Sequence, residues 1–372
     1  MKLKKILVLA GSVLLSLIIL EVGLRVLSAT LIYSPKNSQV YDEKLGRRID
    51  PSLPGIDENG FRNPEVPGDT GIVVLGDSHT YGVNVKSDES WPAQLARMSG
   101  MSAYNLGVGG YGPLQYYYLM DKALSFKPRY VILGLYPAND LSDVCKMIDE
   151  SEYWRDWALK CGYDAGICAG SVSVFGRIIR TLSGLHVYWM AASAVKRLNE
   201  SMNFGDALEV TEGDDKTIMK YATISSHKKK MDVSREKVSF GLAVTEDVIR
   251  EMKSKADAEG VEFGVVLIPS KEIAFYDYLK TNGYKLPDDY EKLVSYENEL
   301  AGELAGFFTG LGIDYADARS YVVTEVEKSI TAYSPTDDGH PLEAGYEAYA
   351  RAAYEGILTD DPHEKESLNL RQ

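Results

Sequence analysis

Gly71-Ile72-Val73-Val74-Leu75-Gly76-Asp77-Ser78-His79-Thr80 decides how this 372-residue chain is read. The unbroken apolar run suits a strand covered on both faces, and the glycine and small polar residues after it mark a sharp turn. Similar runs follow at Ser102–Leu106, Tyr130–Tyr136, Val261–Ile268 and Ile313–Ala318, with helical patterns between them. The clearest helix carries Val238, Leu242, Thr245, Ile249, Met252 and Ala256 on one face and meets a capping Gly260. Strand–helix alternation predicts an α/β fold, with a parallel sheet of about five strands between helical layers. In such sheets functional groups gather at the carboxyl ends of the strands.

Composition narrows the function classes. The chain is 45% hydrophobic and 25% charged, an ordinary globular mix. Its 40 basic and 54 acidic residues leave a net charge of −14, which repels phosphate backbones and argues against a nucleic-acid partner. With three cysteines and no Cys-x-x-Cys pair, neither a disulfide scaffold nor structural zinc is expected.

Lys2, Lys4 and Lys5 precede an apolar run from Ile6 to Leu20, which continues past Glu21 and Arg25 to Leu27. As a helix, Ile6–Leu20 covers only ~22 Å, but extension to Leu27 reaches ~33 Å, enough for a bilayer. No good small-x-small cleavage site follows, so an uncleaved membrane anchor over 1–33 is preferred to a cleaved signal or a buried helix. The lysines place the N-terminus in the cytoplasm and the remaining chain on the periplasmic or extracellular side. There Cys161 and Cys168 can pair, with Cys145 left over or competing; spacing does not settle it. Residues 34–70 read as a polar linker, 71–358 as the main domain, 140–235 as an insertion and 359–372 as a polar tail. A lid over the cleft is one role open to the insertion.

Four polar constellations fall at strand ends or before the last helix. Ser78 sits on the first strand-to-helix turn, and glycines 107, 109, 110 and 112 follow the second strand. Asn139 and Asp140 follow the third, and Asp337-Asp338-Gly339-His340 precedes the final helix. A serine hydroxyl needs a base to remove its proton; an imidazole is suited to that, and a carboxylate fixes its tautomer. His340 supplies the ring, and Asp337, three residues back, can reach its far nitrogen; Asp338 offers an alternative spacing. Attack on an ester carbonyl creates an oxyanion, for which the Ser78 N–H, a glycine N–H and the Asn139 amide are candidate donors.

These residues resemble the SGNH (GDSL-type) hydrolase family. Gly76-Asp77-Ser78, Asn105-x-Gly-x-x-Gly110, Asn139-Asp140 and Asp337-x-x-His340 match its sequence blocks in family order across residues 71–358. The resemblance implies a flavodoxin-like three-layer α/β/α sandwich and an acyl-serine mechanism without metal or cofactor. It makes Ser78 the nucleophile, His340 the base, Asp337 its orienting acid, and Gly110 and Asn139 the oxyanion donors beside the Ser78 N–H. The expected substrates are glycan or lipid-like acyl esters of the cell envelope. A polysaccharide O-acetyltransferase and a catalytically silent glycan-binding module are the alternatives. His79 departs from the aliphatic residue usual after the serine and is read as structural; His227 is read as non-functional. Gly107-x-Gly-x-x-Gly112 also fits a dinucleotide fingerprint, but no acidic residue follows about 20 positions on. Pro269-Ser270-Lys271-Glu272 is read as an exposed loop.

Overall fold

The computed structural model describes residues 39–68, 70–171 and 207–359, with isolated positions between 11 and 20. The expected anchor, 1–33, and the expected tail, 359–372, lie outside these residues apart from those isolated positions and Thr359. Among the described residues no helix is long and apolar enough to cross a membrane.

In chain order the strands are β1 (Gln39–Asp42), β2 (Gly46–Ile49), β3 (Ile72–Leu75), β4 (Ala103–Asn105), β5 (Tyr130–Leu135), β6 (Ala207–Glu212), β7 (Asp215–Lys220), β8 (Glu262–Leu267) and β9 (Asp314–Asp317). The five parallel strands expected from the sequence form one sheet, ordered β4-β3-β5-β8-β9. Val73 faces Tyr104 on one side and Val131 on the other, and Val265 faces Tyr315. Every residue of β3 and β5 is buried, which explains why these strands read as solid apolar runs. Burying each such aliphatic side chain contributes roughly 1.5–3 kcal/mol. This is the flavodoxin-type strand order. The chain leaves β3 for β4 on one side and returns to β5 on the other, opening a crevice at their carboxyl ends. Ser78 and Asn139 follow those two strands.

The helices run α1 (Ser78–Tyr81), α2 (Trp91–Ser99), α3 (Pro113–Ser125), α4 (Pro137–Glu150), α5 (Glu152–Lys160), α6 (Tyr221–Met231), α7 (Glu236–Glu259), α8 (Lys271–Thr281), α9 (Asp288–Gly310), α10 (Arg319–Lys328) and α11 (Glu343–Ala353). Helices α2 and α11 pack together over one face of the sheet, while α3, α4 and α7 pack together over the other. The predicted stripe of α7, from Val238 to Ala256, is buried as expected, and the helix ends where the Gly260 N–H bonds the Ala256 carbonyl.

Residues 39–63 are not a linker. Strands β1 and β2 form an antiparallel hairpin, and Ile49, Ile56 and Phe61 are buried in the main core. Asp57 closes the following turn by accepting from the Asn59 N–H (2.8 Å), the Phe61 N–H (3.1 Å) and the Asn63 amide (2.9 Å). Asn63 then pairs with the backbone of Asn105, accepting from its N–H (3.1 Å) and donating to its carbonyl (2.9 Å). Few apolar residues suffice here because side-chain-to-backbone bonds hold the segment.

The insertion also divides differently. Helix α4 belongs to the main helical layer, α5 is followed by a short 3-10 turn at Ala165–Cys168, and beyond residue 171 the described part resumes at the β6–β7 hairpin. Its disulfide joins Cys145 to Cys168, whereas Cys161, the partner considered for Cys168, is free and exposed. Cys145 lies on the inward face of α4 beside Val144 and Ile148, where Cys168 is also buried; Cys161 caps the outer end of α5.

Candidate active site

The turn that carries Ser78 is built by close packing. A Cβ at Gly76 would stand 2.1 Å from the Thr80 hydroxyl oxygen and 3.1 Å from the Gly134 carbonyl, so only glycine lets β3 turn into α1 here. Asp77 caps α1, accepting from the His79 N–H at 2.8 Å, and Ser78 opens the helix. Behind the turn, Arg62 donates to the carbonyls of Tyr81 (3.2 Å), Gly82 (2.7 Å) and Val85 (2.7 Å). Asn105 donates to the Thr80 carbonyl (2.8 Å) and accepts from the Gly107 N–H (2.8 Å). The segment 57–63 thus braces both the Ser78 helix and the glycine loop beside it.

Ser78 and His340, far apart in sequence, meet. The serine Oγ is 2.8 Å from His340 Nε2, and the other ring nitrogen, Nδ1, is 2.5 Å from Asp338 Oδ1. The acid that meets the His340 ring is therefore Asp338, and the expected pairing of that ring with Asp337 is corrected. Asp338 Oδ1 also accepts the backbone N–H of His340 at 2.9 Å, closing an Asx turn two residues long; a carboxylate three residues back does not fit that turn. Asp337 instead pairs with Lys220 at 2.7 Å. Burial pushes the Asp338 carboxyl up, but bonds from the His340 ring and N–H outweigh it and hold it well below the usual carboxylate range. The acid stays ionised and keeps the Nδ1 proton directed toward itself.

His79 forms the wall behind this line. Its ring lies 4.6 Å from that of His340 and 4.2 Å from that of Tyr136, and it is buried. Burial, and then the neighbouring His340, hold His79 well below the usual imidazole range, so it is a neutral packing surface.

The candidate oxyanion donors are arranged unequally. A Cβ on Gly109 would sit 3.7 Å from Ser78 Cβ, which places the glycine loop in van der Waals reach of Ser78. Gly110 adopts φ +83°, and a Cβ there would come 2.9 Å from the Arg47 guanidinium. Neither the Ser78 N–H nor the Gly110 N–H is bonded to a protein carbonyl among the described residues. Asn139 donates one amide hydrogen to Asp77 Oδ2 at 2.9 Å, which ties it to the residue before Ser78, but it does not itself line the cleft described next. Gly110→Ala keeps the N–H but puts a Cβ at φ +83° and 2.9 Å from the Arg47 guanidinium, so the loop must shift; kcat is expected to fall by about 10²-fold, the scale of a ~1 Å misplacement, and the thermal midpoint to drop by a few degrees. Steady-state kinetics and a thermal melt check both parts.

Ser78, His340 and Gly110 open onto a cleft of about 1050 Å³, bounded opposite by Arg47, Ile49 and Ile56. Its outer wall thus comes from the segment expected to be a linker, and no described residue of 140–235 lines it. Composition hid Arg47; the Asp57-Glu-Asn-Gly60 turn signal was the available clue that this segment folds. Lys271, read as exposed, is buried. His227 is largely buried and meets Glu272 at 3.2 Å.

No family model matches the chain, and no curated protein is similar to it in sequence. Among solved structures, it is similar to an extracellular lipase from Streptomyces rimosus, at 13% identity and TM-score 0.42 over 77% of this chain and 100% of that one. It is also similar to a lipolytic protein of the G-D-S-L family from Desulfitobacterium hafniense, at 12% identity and TM-score 0.39 over 78% and 100%. A catalytic mutant of an acetylxylan esterase from Geobacillus stearothermophilus gives 11% identity and TM-score 0.39 over 79% and 97%.

Proposed function

We propose that the chain is an SGNH-type serine esterase that cleaves acyl esters through an acyl-serine intermediate. The observation that carries this reading is the hydrogen-bonded line from Ser78 through His340 to Asp338 at the carboxyl end of the sheet. His340 Nε2 takes the Ser78 proton as Oγ bonds to the ester carbonyl carbon. The carbonyl electron pair moves onto oxygen, where the N–H groups of Ser78 and Gly110 receive it. Collapse breaks the ester C–O bond, and the leaving alkoxide takes the proton from His340. Water then gives a proton to the same nitrogen and attacks the acyl carbon; collapse breaks the bond between that carbon and Ser78 Oγ, the serine oxygen takes the proton back from His340, and a carboxylic acid leaves. Asp338 remains ionised throughout and stabilises the imidazolium.

The substrates are glycan or lipid-like acyl esters in the cell envelope, with residues 1–33 holding the domain at the membrane. A cleft of about 1050 Å³ supports a substrate much larger than an acetyl group. The same width favours one second reading, transfer of the acyl group to a sugar hydroxyl in place of water. Incubation with an aryl acetate, with and without an acetyl-free glycan, separates these. Release of acetate independent of glycan supports hydrolysis, and acetylated glycan supports transfer. With neither product and no labelling of Ser78 by a fluorophosphonate, the site is a binding module.

A further inference from the structure

Lys271 opens helix α8 directly after β8, and its side chain is buried. That is an expensive place for an ammonium, which is taken out of water and set at the positive end of a helix. Its hydrogen-bond partners are not carboxylates. Lys271 Nζ donates toward four backbone carbonyls: Ile218 (3.3 Å), Ser334 (3.2 Å), Thr336 (2.9 Å) and Asp338 (3.3 Å). Three of them belong to the short loop that delivers Asp338 and His340, and the fourth belongs to β7. The Thr217 hydroxyl, also on β7, donates to the Ser334 carbonyl at 2.8 Å. The loop therefore closes around one cation.

We propose that Lys271 is a positioning residue whose buried ammonium clamps the 334–338 loop, keeping Asp338 and His340 in line with Ser78. This rests on the esterase reading given above. A loop carbonyl and a catalytic carboxylate on the same residue, Asp338, are thereby held from opposite sides, by Lys271 and by His340.

The clamp has a pH signature. The charged groups facing Lys271 are Glu272 on its own helix and Asp337 and Asp338 on the loop, with the Tyr333 ring 5.9 Å away. Glu272 is paired with His227 from α6, and Asp337 with Lys220 from β7. Burial pushes Lys271 down to about 8 against the pull of those three acids. A neutral amine keeps only two hydrogens for four carbonyls, so alignment weakens above that pH. Stability moves the other way: an unfolded lysine stays protonated to ~10.4, so between about 8 and ~10.4 the unfolded state holds the extra proton and folding gains with pH. An alkaline loss of rate is thus not a loss of fold.

The experiment compares the full chain with Lys271→Met and Lys271→Arg, reading kcat and KM on an aryl acetate, thermal midpoints from pH 6 to 10, and amide hydrogen exchange in 334–340. Lys271→Met is expected to lower kcat roughly 10- to 100-fold, the scale of a ~1 Å misplacement, with KM within about threefold. Exchange in 334–340 should quicken, and the wild-type fall in kcat above pH 8 should vanish. Across the same window the midpoint of wild type should gain on that of Lys271→Met. Lys271→Arg, which keeps a charge at all these pH values, should retain more rate than Met at pH 7 and lose the alkaline fall. Wild-type kcat and wild-type exchange in Lys271→Met overturn the proposal. Should that variant not fold, a flat wild-type kcat from pH 7 to 10 overturns it equally. Absence of turnover and of phosphonate labelling in wild type defeats the esterase reading instead, and hydrogen exchange then still tests the clamp.

Discussion

Ser78→Ala should lower kcat/KM on an aryl acetate by on the order of 10⁶-fold, down to the rate supplied by the oxyanion donors and binding alone. In the proposed mechanism the serine oxygen forms the new bond, and no other hydroxyl touches His340 Nε2 among the described hydrogen bonds. Structural loss should be small. Among the described residues the hydroxyl is hydrogen-bonded only to His340 at 2.8 Å and Asp77 at 3.3 Å, and a hydrogen bond contributes about 1 kcal/mol net. The thermal midpoint should stay within a few degrees of wild type. His340→Ala should fall as far, and the double variant no further, because the two groups act as one unit. Steady-state kinetics on the three proteins, with melts beside them, read this directly. Independent, multiplying losses would mean that the two side chains serve separate steps.

Asp338→Asn should cost about 10⁴-fold in kcat, while Asp337→Asn should cost less than about threefold. The neighbours are separated by geometry alone. Asp338 holds both the ring and the backbone N–H of His340, and Asp337 lies against Lys220. An asparagine at 338 presents an amide that can donate to Nδ1, which favours the tautomer with its proton on Nε2. That nitrogen then has no lone pair for the Ser78 proton. The sign of the pH effect follows from the depressed Asp338 carboxyl. Its charge supports the loop at and above the ordinary carboxylate range, and that support is lost only as pH falls through its lower folded value. Kinetics of the two asparagine variants, at matched expression and melting temperature, settle which acid orients the base. A large loss at 337 with none at 338 would reverse the assignment.

What could be read from the chain was what periodicity and turn chemistry encode. Strands β3, β5 and β8 are buried on both faces almost throughout, so they appear as apolar runs that few other structures produce. Ser78 and His340 were legible as candidates because one follows the first strand of the parallel sheet and the other precedes the last helix, and the structure brings the two together. Illegible features depend on which of two near-equal neighbours a turn selects, or on polar bonds that leave no periodic trace. Asp337 and Asp338 differ by one residue, and only the Asx turn around His340 distinguishes them. Residues 39–63 have too few apolar side chains to look folded, yet Asp57 and Asn63 tie them down through five hydrogen bonds. The cysteine pairing followed from which face of α4 carries Cys145, a tertiary fact. Lys271 defied the general rule that lysines stay in water, because four carbonyls supply what water would have.

Intact-mass measurement and peptide mapping after treatment with a fluorophosphonate test the central claim most directly, since only an activated serine reacts quickly with that reagent. A single phosphonyl group on Ser78, slowed strongly by His340→Ala and absent in Ser78→Ala, is the predicted result. Ester turnover that persists while Ser78 stays unlabelled, or a label that maps to another residue, would contradict it.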